Sequence, residues 1–175
     1  MSEVRGLYQR HRPTKWSEVK GQDRAVTQIR GYLTRPEALP GVLVLVGASG
    51  TGKTTLARIM ANAFIGNKAT QANIEEIDAA SHSGADDMRA VVNRAYFKAI
   101  GESPVKAIIC DEAHRISSAG WTILLKPIEE PPQHVFWFFC STEAGKIPKT
   151  ILTRCLRYDL KPVSEENILE LLIKV

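Results

Sequence analysis

Apolar positions along the chain change their period several times, and each change marks an element. Ala25, Val26, Ile29, Tyr32 and Leu33 fall at helical spacing within residues 23–33. Val42–Val46 is instead an unbroken aliphatic run bounded by Pro40, Gly41 and Gly47, which predicts a buried strand. After Gly52 the set Leu56, Ile59, Met60, Ala63 and Phe64 predicts a helix with one apolar face. A short strand is expected around residues 74–79, then a helix carrying Met88, Val91, Val92, Ala95, Ala99 and Ile100 on one face, then a strand over 105–110. Ser117 and Ser118 can cap a helix running through Leu125, which Pro131 and Pro132 stop. Residues 135–140 are almost wholly apolar, as a strand covered on both faces must be, and a last strand is expected near 156–160.

Strands alternating with helices predict an α/β domain of three layers, αβα, around a parallel sheet of about five strands, with its ligand at the carboxyl ends of the strands. Pro162 and Ser164 then start another helix, with Glu165 and Glu166 in its first turn, where acidic groups suit the helix dipole. Residues 1–162 are therefore expected to form the αβα domain, and residues 163–175 to begin a further one.

Composition narrows the class. The chain has 175 residues, 44% hydrophobic and 24% charged, which excludes disordered and fibrous classes. At this length roughly 70% of the unfolded chain's surface can be buried, enough for a real core. No aliphatic run approaches a membrane span, and the polar start MSEVRGLYQRHRP has no apolar signal region, so a soluble cytoplasmic protein without a membrane partner is expected. Cys110, Cys140 and Cys155 are an odd number without CxxC spacing, so they are expected to be buried free thiols. The net charge is +4, and up to Arg35 eight basic residues (Arg5, Arg10, Arg12, Lys15, Lys20, Arg24, Arg30, Arg35) face three acidic ones. That excess suits a polyanionic partner or a solvated basic face.

The chemistry concentrates in two places. Gly47, Ala48, Ser49, Gly50, Thr51, Gly52, Lys53 and Thr54 satisfy GxxxxGK[ST] between a predicted strand and a predicted helix, the context that defines a P-loop. There, backbone N–H groups converge on phosphate oxygens at a helix N-terminus, Lys53 reaches the β- and γ-phosphates, and Thr54 serves Mg2+. Thr55 follows in the same first turn. Residues 107–112 form an apolar strand ending in Asp111 and Glu112. The two carboxylates have different expected tasks: Asp111 orients Mg2+ partly through water, and Glu112 polarises the water that attacks the γ-phosphorus. Residues 111–114 also spell the DEAH tetrad of certain helicases, but those pair two nucleotide-binding cores and this chain carries one set of motifs. His114 is expected to be a surface or hydrogen-bonded histidine.

Several stretches in order resemble the DNA polymerase clamp loaders of the AAA+ superfamily, most closely the bacterial gamma/tau subunit. Arg12-Pro13 and Val19-Lys20-Gly21-Gln22 resemble the N-terminal boxes that wrap the adenine. Residues 76–81 resemble the second-strand motif. Leu124-Leu125-Lys126 with Glu129-Glu130-Pro131-Pro132 resembles the LLK…EEPP segment, and Ser141-Thr142-Glu143 resembles the sensor 1 region. Lys146-Ile147-Pro148 and Thr153-Arg154-Cys155 resemble the KIP and SRC motifs. The resemblance implies a P-loop ATPase that uses ATP and Mg2+ to load a sliding clamp onto primer-template DNA. It further implies a pentameric assembly of loader subunits with shared ATP sites. Thr142 becomes sensor 1, with Ser141 as the alternative, and Arg154 the arginine finger reaching a neighbouring subunit's ATP. Arg12, Pro13 and Val19 fall in the nucleotide site, and Arg89 and Arg94 are the candidates for contact with DNA phosphates.

Departures from the family also carry expectations. Residues 66–73 hold no cysteine where the bacterial subunit usually carries a four-cysteine module, so no zinc is expected. Thr153 replaces the usual serine before the finger. Pro127 stands where the family has a helix former, and its missing N–H is expected to disturb the helix there. Residues 163–175 correspond to the first helix of the family's helical lid. Two alternatives stand beside the loader: another AAA+ DNA-processing ATPase of the branch-migration or initiator type, or a non-hydrolysing nucleotide-gated scaffold.

Overall fold

A computed structural model describes residues 10–35, 40–66, 71–101, 103 and 105–173. Arg5 and Glu3, counted in the N-terminal charge excess, lie outside the described residues. Five strands form one sheet: β1 (Val42–Val46), β2 (Ile74–Asp78), β3 (Lys106–Asp111), β4 (Val135–Ser141) and β5 (Leu156–Asp159). Its order is β2-β3-β4-β1-β5, with every pairing parallel. Parallel neighbours need crossovers, and these are supplied by α2 (Lys53–Ile65), α3 (Ala85–Tyr96), α4 (Ser118–Glu129) and the short α5 (Lys149–Leu152). A helix α1 (Asp23–Leu33) precedes the sheet, and α6 (Glu165–Ile173) follows it.

The aliphatic runs are buried on both faces because alternate residues serve two separate cores. Val42, Val44, Val46, Trp137 and Phe139 face α3 and α4, packing on Met88, Val91, Trp121 and Leu124. Leu43, Leu45, Phe138 and Cys140 face α1 and α2, packing on Ile29, Leu56, Ala57 and Met60. This confirms the three-layer α/β architecture and the sheet of five parallel strands.

The strand ends and one helix shift by a residue or more from expectation. The third helix stops at Tyr96, so Ala99 and Ile100 do not extend its face, and Ile100 is 60% exposed. The chain turns extended at Phe97, with φ of −73° and ψ of 144°. Beyond it Asn73 binds Ile100, its side-chain amide accepting from the Ile100 N–H at 2.7 Å and donating to its carbonyl at 2.9 Å. The fourth helix runs past Leu125 to Glu129, straight through Pro127, with Ser117 as N-cap accepting from Gly120 N–H at 3.0 Å. Pro127 is buried, and the final turn still closes with Glu130 N–H donating to Lys126 C=O at 3.0 Å. The helix therefore continues through Pro127 without the expected break. Cys110 and Cys140 are buried as expected, whereas Cys155 is only partly so. Burial pushes the Cys110 thiol up to about 12. No helix among the described residues is long and apolar enough to cross a membrane.

Candidate nucleotide site

The site forms where β1, β3 and β4 end side by side. Gly47 leaves β1, its N–H donating to Ser141 C=O at the tip of β4 at 3.2 Å. A Cβ on Gly47 would lie 2.7 Å from the Leu160 carbonyl oxygen and 2.9 Å from Thr51 Oγ1, so only glycine passes there. Gly50 and Gly52 take φ of 81° and 89°, the left-handed region that glycine enters freely. The loop then enters α2, whose first helical bond runs from Leu56 N–H to Gly52 C=O at 2.8 Å.

Lys53 is 7% exposed, and its ammonium donates to the Gly47 and Ala48 carbonyls, both at 2.9 Å. Two of its three donors thus bridge the mouth of the loop. Thr54, one residue on, donates its hydroxyl to Asp111 Oδ2 at 2.7 Å. The other carboxylate oxygen of Asp111 accepts from the Glu112 N–H at 2.9 Å. Loop helix and acidic strand tip are therefore joined by a direct contact.

Glu112 has φ of 51°, the one non-glycine residue with positive φ among those described. Such a conformation costs of order 1–3 kcal/mol and persists where surrounding structure enforces it. It turns the chain off β3 into a 3-10 turn, Ala113–Arg115, and brings His114 back beneath the carboxylates. The His114 side chain is 7% exposed, which corrects the surface option for this residue. Its Nε2 lies 3.4 Å from Glu112 Oε2 and 3.8 Å from Glu143 Oε1, and its Nδ1 lies 3.5 Å from both Ser141 Oγ and Thr142 Oγ1. Glu143 is paired with Lys146 at 2.9 Å, and that bond holds its carboxyl below the usual range.

Lys53, Thr54, Asp111, Glu112 and Thr142 are thus gathered at the carboxyl ends of three strands. Thr55 sits half-buried in the first turn of α2. Arg12, Pro13 and Val19 belong to the half-buried segment before α1. Gln22 ties that segment down: its amide donates to Lys161 C=O at 2.6 Å and accepts from Lys161 N–H at 3.2 Å, and its Nε2 also lies 3.4 Å from Thr51 C=O. Arg154 is placed apart, in the turn between α5 and β5, where it pairs with Glu129 at 3.1 Å and donates to Thr150 C=O at 2.7 Å. The DNA candidates are both occupied by carboxylates, Arg89 by Asp86 and Arg94 by Glu75. Sequence reasoning met Gln22 only as the last residue of the adenine box and gave His114 no part in the site. The amide after a glycine and the histidine two places beyond Glu112 were the available signals.

A parallel αβα sandwich with a phosphate-type loop after its first strand and paired carboxylates at the tip of β3, with β4 inserted between the two strands, has the fold of a P-loop domain of the AAA+ type. Solved structures share this fold. The RuvB Holliday junction branch migration motor of Thermotoga maritima superposes with a TM-score of 0.74 at 23% identity, covering 94% of this chain and 55% of that one. A DNA polymerase III gamma subunit-related protein of the same organism gives 0.64 at 18% identity, covering 79% and 47%. The chain itself belongs to the family described as DNA polymerase III, delta subunit, whose model matches residues 72–164. Among curated relatives, the gamma/tau subunit of Mycoplasma pneumoniae is 36% identical over 97% of this chain, and the gamma subunit of Buchnera aphidicola from Acyrthosiphon pisum is 33% identical over 95%. The chain spans 27% of the first relative's length and 50% of the second's.

Proposed function

We propose that this chain is the nucleotide-binding part of an ATP-hydrolysing subunit of a DNA sliding-clamp loader, acting in replication in the cytoplasm. Residues 1–162 are its AAA+ domain and residues 163–175 the first helix of a lid. The observation that carries the reading is the 2.7 Å bond from Thr54 Oγ1 to Asp111 Oδ2, with Glu112 on the next residue. A hydroxyl and a carboxylate oxygen in contact are the hard oxygen donors that suit Mg2+, and the side-chain-free approach at Gly47 suits a phosphate.

In this reading the backbone of residues 47–53 and the Lys53 ammonium bind the β- and γ-phosphates of ATP. Thr54 and Asp111 hold Mg2+, which when bound neutralises charge on the phosphate oxygens. Glu112 accepts the proton of the attacking water as its oxygen bonds to the γ-phosphorus and the bond to the β-γ bridging oxygen breaks, giving ADP and phosphate. Thr142 positions that water, and Arg12, Pro13 and Val19 line the adenine side.

Arg154 acts in trans on a neighbouring subunit's nucleotide, exchanging Glu129 for phosphate oxygens. The partners are further loader subunits in a pentamer, the clamp and primer-template DNA. Arg89 and Arg94, 55% and 51% exposed, are retained as phosphate contacts that release Asp86 and Glu75 on binding.

Likeness of fold reaches a branch-migration motor as well, whereas the sequence relatives are gamma and gamma/tau subunits, which favours the loader. Glu112→Gln should keep ATP binding and lower hydrolysis by about 100-fold or more in the assembled protein. An unchanged rate would remove Glu112 as the base. Stimulation by clamp plus primed DNA supports the loader, and stimulation by duplex alone the branch-migration type.

A further inference from the structure

We propose that His114 is a positioning residue that holds the Glu112 carboxylate and ties its placement to Thr142 at the tip of β4. The proposal rests on the reading of Glu112 as the base. His114 is otherwise unused by the chemistry, yet its ring stands between the two groups that must face the same water. One ring edge meets carboxylates, at 3.4 Å for Glu112 and 3.8 Å for Glu143, and the other meets hydroxyls, at 3.5 Å for Ser141 and Thr142.

That arrangement sets the direction of the bonds. A nitrogen facing carboxylates must carry hydrogen, so Nε2 is the donor, and in the neutral ring Nδ1 is then the acceptor for a hydroxyl proton. Thr142 and Ser141 therefore donate toward Nδ1, while Nε2–H faces Glu112 Oε2 at 3.4 Å in a contact that is not a closed hydrogen bond. Glu143 competes for Nε2 weakly, because its carboxylate is already engaged by Lys146 at 2.9 Å and lies farther off. Ser141 Oγ is also occupied as the acceptor of Glu143 N–H at 3.0 Å, which leaves its proton free to point at Nδ1. Distances of 3.4–3.5 Å are longer than a closed hydrogen bond, and contacts of this length between catalytic groups commonly tighten on binding substrate.

The bend at Glu112 makes the arrangement possible. Its φ of 51° sends the chain into the turn that carries His114, so the strained residue is the base itself and its holder follows two positions later. A histidine that only filled space would need neither the carboxylate on one edge nor the hydroxyls on the other.

The test uses the complete chain, with its assembly partners for the rate measurements. His114→Ala should lower the single-turnover rate of ATP hydrolysis by about 10- to 100-fold, the range for a displaced catalytic group. ATP affinity should stay within about twofold, since uniform binding is untouched. His114→Gln, whose amide N–H reaches the Nε2 position, should restore part of the rate. In a Glu112→Gln background the His114→Ala change should add nothing, because the two act as a unit. A rate that falls only in step with ATP affinity or thermal stability would overturn the proposal and leave Glu112 as the base. A Glu112→Gln rate equal to the parent's would instead sink the reading of the base itself. Independently of turnover, imidazole nitrogen shifts in the NMR spectrum should report the Nε2–H tautomer for His114, and an Nδ1–H tautomer would refute the arrangement.

Discussion

Gly47 has no room for a side chain, and this sets the most local of the expectations. An added methyl would meet backbone at 2.7 Å from Leu160 O, and backbone cannot swing aside as a side-chain end can. Gly47→Ala should destabilise the fold by about 1–3 kcal/mol, as overpacking does. Urea unfolding would show it as a lower midpoint at unchanged slope, and a nucleotide titration would show weakened binding. The P-loop and the Asp111-Glu112 pair were legible because each is a contiguous run whose function is carried by neighbours in sequence. The conformation of Glu112 and the place of His114 were not. They depend on β3 and β4 lying in register, Cys110 opposite Phe139, so that Ser141 and Thr142 arrive beside a residue 27 or 28 positions earlier. No spacing rule brings those residues together.

At the scale of elements, periodicity located all five strands and the main helices, and failed at the end of α3. The chain turns extended at Phe97 and Asn73 binds Ile100 beyond it, and the apolar spacing that extended α3 to that residue had no means of registering a partner 27 positions away. Pro127 failed in the opposite sense: a rule about isolated helices was overridden by burial of the same residue in the core. The cap of α4 behaved as its sequence suggested. Ser117→Ala removes the oxygen that accepts from Gly120 N–H at 3.0 Å and should lower stability by about 1 kcal/mol, read from thermal or urea unfolding.

For the whole molecule, Arg154 lies on Glu129 rather than among the residues of its own P-loop site, so its proposed use requires a second chain. ATP turnover should therefore rise with protein concentration or with added loader subunits, and Arg154→Ala should lower the assembled rate by about 10³-fold or more. Turnover that is fast and independent of concentration would contradict an arginine acting in trans. The amide of Gln22, meanwhile, spans 139 positions to bind both the N–H and the C=O of Lys161, closing the segment before α1 onto the chain that leaves β5.

One further tie crosses the same seam. Lys20 and Glu170 meet at 2.6 Å, both partly open to solvent, and the contact raises the lysine's affinity for its proton. Added electrolyte screens pairs of this exposure while leaving buried apolar packing intact. Ionic strength is thus a selective loosener of α6: as it increases, a protease should nick the terminal helix sooner while the digestion rate of the central sheet holds steady.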